Sequence, residues 1–60
     1  MKLKRIREKQ GVSLRSLAAK AKMGYPHVCN IENGKADPSL STLRRLARVL
    51  KVKVVDLIDE

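Results

Sequence analysis

Sixty residues with a 43% apolar fraction support one small globular domain, spanning 1–60, and exclude a disordered tail. Fourteen Lys and Arg against six acids give a net charge of +8; eight of the fourteen fall between Lys2 and Lys22, where Glu8 is the only acid, whereas Asp56, Asp59 and Glu60 make the other end acidic. This asymmetry implies a side that meets a polyanion, set against the plainer reading of a solvated surface, and the lone aromatic, Tyr25, argues against the base-stacking platforms of RNA and single-strand binders.

Periodicity predicts five helices, over residues 2–10, 13–21, 25–33, 39–50 and 54–58. In the first, Leu3, Ile6 and the stem of Lys9 share a face, with Lys4, Arg5 and Glu8 outside, and Gly11 stops it in a left-handed cap. Ser13 is the expected N-cap of the second, its hydroxyl accepting from the amide near Ser16, and Val12 packs over the first turn. Leu14, Leu17, Ala18 and Ala21 form its inner face, and small Ala18 leaves room for a crossing helix. Lys22, Met23 and Gly24 make a tight turn with Met23 inward, Gly24 caps the third helix, and Pro26 suits its first turn, where a missing amide costs nothing. Gly34 closes that helix.

After the loop 35–38, Ser39 caps the fourth helix, where Leu40, Leu43, Leu46, Ala47 and Leu50 form a strong inward stripe opposite Ser41, Arg44, Arg45 and Arg48. Val49 and Val55 fall off the inward pattern and read as exposed, either as a dimer patch or as scattered valines. The run VKVV has strand propensity, but no second strand is available to pair with it, so Val54–Ile58 is read as a short closing helix.

The third helix is the informative one. Its inward positions are Val28 and Ile31 alone, which leaves Tyr25, Pro26, Cys29, Asn30 and Asn33 on a free face with His27 at the edge. Two short helices joined by a tight turn, the second with a bare outer face, have the form that enters a DNA groove.

Four motifs in register, LKRIREKQGVS, Leu17-Ala18, IENGK at 31–35 and PSLSTLRRLARVLKVKVVDLI, resemble the phage-repressor and Cro (lambda-repressor-like) type of helix-turn-helix domain, from about Leu3 to Ile58. The resemblance implies an all-α, compact five-helix fold, double-stranded DNA as partner, and a homodimer on a two-fold operator. It implies base reading by Tyr25, Pro26 and Asn30, with His27 and Cys29 nearby. Backbone-phosphate contacts fall on Gly24 and Asn33, followed by Lys35. Arg15 and Lys22 are expected to join them from the second helix and its turn, with Arg44 of the fourth helix either clamping a phosphate or staying solvated. It also pairs Arg7 with Glu32 as a structural ion pair, in which a guanidinium fork holds a carboxylate by two bonds.

Asn30 is the expected direct reader, since its amide offers a donor and an acceptor to adenine. Tyr25 either lays its ring along the groove or reaches a phosphate, and Pro26 offers an apolar surface to a thymine methyl. The chain departs from the family at Lys22, where Gly is common. Either a left-handed Lys costs on the order of 1 kcal/mol, or the turn changes shape with Gly24 taking the strain. Leu14 replaces a common phosphate-binding Gln, and the serine usual at Gly24 is missing, so the target sequence cannot be borrowed.

His27 and Cys29 point to different faces and have no further His or Cys partner, so no metal or other cofactor is expected. A lone Glu32 has no catalytic partner, and no enzyme activity is expected. One cysteine makes no internal disulfide, and neither a ~20-residue apolar span nor a signal-peptide core is present, so the expectation is a cytoplasmic protein with no membrane association. The function expected is sequence-specific transcriptional regulation, by repression. A protein-interaction module, such as an antitoxin partnered with a toxin, is the alternative, and a membrane-surface basic peptide the third.

Overall fold

A computed structural model describes residues 1–58 as five α-helices: α1 (Leu3–Lys9), α2 (Leu14–Lys20), α3 (Tyr25–Glu32), α4 (Leu40–Leu50) and α5 (Val54–Ile58). No strand occurs among the described residues. Asp59 and Glu60, part of the acidic end of the sequence, lie outside them.

Local chemistry explains where the helices start. The Ser13 hydroxyl accepts from the Ser16 amide at 3.0 Å, and the Ser39 hydroxyl accepts from the Thr42 amide at 3.2 Å. Each satisfies one donor that a helix start leaves unpaired. At α5 the Asp56 carboxylate accepts from the Lys53 amide at 3.0 Å, the reaching-back half of a capping box. Gly24 caps α3 by backbone alone, in an extended conformation (φ −68°, ψ 139°), with Pro26 in the first turn.

One device ends the first four helices. After α1, Val12 donates to the Arg7 carbonyl and Gly11 to Glu8. The same pair of bonds recurs with Met23 and Lys22 after α2, Lys35 and Gly34 after α3, and Val52 and Lys51 after α4. This is the Schellman arrangement, which needs a left-handed residue at its pivot. Glycine fills the pivot at Gly11 (φ 72°) and Gly34 (φ 75°), and lysine at Lys22 and Lys51 (both φ 57°). A lysine there carries a Cβ clash of roughly 1–2 kcal/mol. The apolar residue after the pivot, Val12, Met23 or Val52, packs against the core in three of the four cases and offsets part of that strain.

The core consists of Leu3, Leu17, Ala18, Ala21, Val28, Ile31, Leu46, Ala47, Leu50 and Leu57, with Ile6, Val12, Leu14, Met23, Leu43, Val49, Val52 and Val54 packed around it. Every helix contributes to it. The most extensive helix pairing is α2 with α3, where Ala18 and Ala21 permit a close approach. Two bonds tie distant segments together. The Lys2 amide donates to the Leu57 carbonyl at 2.6 Å, and Gln10 Nε2 donates to the Leu50 carbonyl at 2.7 Å, joining the end of α1 to the end of α4.

Several side chains sit otherwise than their spacing predicts. Leu40 opens the α4 stripe yet is 56% exposed, and the buried part of the stripe is Leu46, Ala47 and Leu50. Val49, expected outside, packs against the core, while Val55 is exposed as expected. Lys9 lies in solvent rather than along the inner face. Lys2, Gln10, Ala21 and Asn33 are caps rather than helical residues, which trims the predicted helix ends by one. The turn follows the first of its two options: Lys22 is left-handed and Gly24 is unstrained.

Candidate nucleic-acid interface

α3 is anchored from behind by few residues. Val28 and Ile31 are its buried side chains, three apart and so on one face. Below them Glu32 accepts from Arg7 Nε at 2.6 Å and from a terminal Arg7 nitrogen at 3.2 Å. The other terminal nitrogen donates to the Val12 carbonyl at 2.8 Å. The pair is largely removed from water, at 11% and 5% side-chain exposure. The bond to Glu32 holds the Arg7 guanidinium above its ordinary pKa, against a smaller opposing effect of burial, so Arg7 stays charged. The clasp therefore fixes α3 against α1 and the Val12 segment.

The outward face is open. Tyr25, Pro26, His27, Asn30 and Asn33 are exposed, and Cys29 is half-buried. No group of three or more His, Cys, Asp or Glu side chains that could hold a metal ion occurs among the described residues. The Asn33 amide lies 3.5 Å from Cys29 Sγ, a weak contact between the cap of α3 and its last turn.

Exposed cations lie on the elements before and after α3: Arg15 and Lys20 on α2, Lys22 in the turn and Lys35 after α3, with Arg44 exposed on α4. Lys35 is held close to α3, its amide bonded to the Asn30 carbonyl at 2.8 Å. Arg44 belongs to α4, across the 35–38 loop. One contact unites α2 with the outward face of α3: the Arg15 guanidinium lies over the Tyr25 ring, 5.2 Å from its centre. That is cation–π distance, worth about 0.5–1 kcal/mol at an exposed site. Sequence reasoning misses this contact, because it depends on the crossing of α2 and α3 and no local pattern encodes that angle.

The sequence pattern of the helix-turn-helix family matches residues 3–57. The chain belongs to that family, in its phage-repressor and Cro branch. This helix-turn-helix chain is 33% identical over 58 residues to the HTH-type transcriptional regulator DdrOP3 of Deinococcus deserti, covering 97% of this chain and 45% of the relative. Its fold superposes on the N-terminal DNA-binding domain of SinR from Bacillus subtilis with a TM-score of 0.90 and 35% identity, over 98% of this chain and 87% of that one. A complex of the SinR and SinI proteins gives 0.92 and 35%, over 98% of this chain and 58% of that one. The helix-turn-helix chain therefore spans about half the length of the curated relative it matches. No helix among the described residues is long and apolar enough to cross a membrane.

Proposed function

We propose that this chain is a sequence-specific, double-stranded DNA-binding transcriptional regulator that represses by occluding polymerase. The observation that carries the reading is the outward side of α3, which is bare of neighbours, rigidly backed by Val28, Ile31 and the Arg7–Glu32 pair, and flanked by exposed cations. Such a helix suits the major groove. In this reading Asn30 reads an adenine edge, Tyr25, Pro26, His27 and Cys29 lie along the groove, and Gly24, Asn33, Lys35, Lys22, Arg15 and Arg44 meet the backbone. The chain acts in the cytoplasm, and two copies present their α3 helices about one duplex turn, ~34 Å, apart.

A mobility-shift titration over a range of salt concentrations tests this. Six neutralised phosphates give a log–log slope of roughly −5. No binding at low salt would remove the reading, and binding without preference over random duplex would reduce it to non-specific association. Selection from a random pool then reports half-site spacing, and a two-fold motif supports the homodimer.

A second reading, a protein-interaction module of the antitoxin kind, draws on the complex in which SinR meets a second protein. Exposed Leu40, Val55 and Ile58 offer apolar surface for such contacts. Co-purification with a small partner, together with loss of that partner on Val55→Asp, supports this reading. A monodisperse homodimer that retains DNA and no other protein counts against it.

A further inference from the structure

We infer that Arg15 and Tyr25 act as one unit on DNA, in which the Tyr25 ring is a platform that aims the Arg15 guanidinium at a backbone phosphate. The inference rests on the DNA-binding reading above and deepens it, giving Tyr25 a different task from reading a base.

The argument starts from geometry. Arg15 occupies the first turn of α2 and Tyr25 is the first residue of α3, so two helix starts meet at this contact. The guanidinium covers one face of the ring at 5.2 Å from its centre. Among the described residues no hydrogen bond or ion pair engages the Arg15 guanidinium, so its N–H groups remain free while it sits over the ring, and those groups suit a phosphate. Both side chains are exposed, with Tyr25 at 44%, so this assembly is reachable from outside.

The platform is also well founded. Tyr25 opens the first turn of α3, and the His27 and Val28 amides both bond to the Gly24 carbonyl just before it, which fixes that turn. A long arginine side chain otherwise samples many rotamers, and each phosphate contact must first select one. Here the ring has already narrowed the choice. Two other roles open to Tyr25, lying along base edges or donating its own hydroxyl, leave the stack with Arg15 unexplained.

The consequence is unusual for an uncharged residue. Phosphate contacts set the salt dependence of binding, at roughly 0.9 in log–log slope for each phosphate neutralised. Removing the ring should flatten that dependence although no charge is lost.

The test uses the full chain and a short mixed-sequence duplex, with affinity measured across a salt series for the wild type, Arg15→Ala, Tyr25→Leu, Tyr25→Phe and the Arg15→Ala/Tyr25→Leu double variant. Arg15→Ala should flatten the slope by roughly 0.9, and Tyr25→Leu by at least about half as much. Tyr25→Phe should match the wild type, since the ring and not the hydroxyl does the work. The double variant should bind like Arg15→Ala alone. In the free protein, the Arg15 side-chain NMR resonances should show a ring-current shift that Tyr25→Leu abolishes and Tyr25→Phe keeps, and wild-type dispersion of the backbone amide resonances checks that every variant is folded. A wild-type slope in Tyr25→Leu, or losses that multiply in the double variant, would overturn the unit while leaving DNA binding intact. Failure of the wild type to bind duplex at low salt would instead remove the DNA-binding reading, and this unit with it.

Discussion

Arg7 and Glu32 stand 25 residues apart in sequence and close a two-bond clasp between α1 and the recognition-side helix α3, with a third bond from Arg7 to the Val12 carbonyl. Breaking one side of such a shielded pair strands the other. Arg7→Ala should destabilise the domain by about 2–4 kcal/mol, and Glu32→Gln by less, because the amide keeps the shape and one acceptor. In a domain this small that is a drop in melting temperature of about 10–25 °C, measurable by circular dichroism. A loss under ~0.5 kcal/mol in Arg7→Ala would show that the clasp is dispensable.

The same residue gives a pH prediction. Its pKa is raised in the fold, so its stabilising share is complete below the unfolded value and is lost only as pH climbs through the folded one. Both values lie beyond ordinary alkaline conditions. The stability gap between wild type and Arg7→Ala should therefore stay constant between about pH 7 and 10. Paired denaturation curves at several pH values check this, and a gap that closes within the window would contradict it.

Lys22 and Lys51 occupy left-handed pivots that glycine fills after α1 and α3. Lys22→Gly and Lys51→Gly should each raise stability by about 1 kcal/mol, and additively, since the two pivots share no partner. Only the first should also weaken DNA binding, because Lys22 lies in the turn before α3. Gly34→Ala should do the reverse and destabilise by about 1 kcal/mol, for backbone reasons alone, since an added Cβ there meets nothing within 4 Å.

Asn30 is exposed in the last turn of α3. Asn30→Ala should relax preference at one base pair by about 1–3 kcal/mol and leave affinity for other sequences unchanged. A binding-site selection with the variant measures this. An equal loss across all sequences would assign Asn30 to the backbone.

Ser13→Ala and Ser39→Ala each remove one N-cap bond and should cost about 1 kcal/mol. Urea titration of both variants tests this, and neither should alter the salt dependence of DNA binding.

What the sequence shows of all this follows from range. Ser13, Ser39, Gly11 and Gly34 mark helix ends through bonds made within a few residues, so the five helices are legible almost to the residue. The open side of α3 is legible too, as the complement of Val28 and Ile31. Lys51 is not, because nothing in a lysine announces a left-handed pivot; its conformation goes with the paired bonds of Lys51 and Val52 to the end of α4 and with Val52 packed on the core. Leu40 and Val49 deceive the periodicity because burial depends on which neighbours reach the helix, and spacing along α4 does not say where α2 and α5 pack on it. The Arg15–Tyr25 stack and the Gln10–Leu50 bond depend on how helices cross, which spacing along one helix cannot express.

The bond from the Lys2 amide to the Leu57 carbonyl brings the residue before α1 and the last turn of α5 side by side. A short peptide could therefore join them, and the chain could be reopened in the exposed loop near Asp37. Such a circular permutant keeps every helix and its packing partners. It moves any fused segment away from the α1–α5 corner and re-sites it between α3 and α4, so the attachment point of cargo on this scaffold becomes a matter of choice.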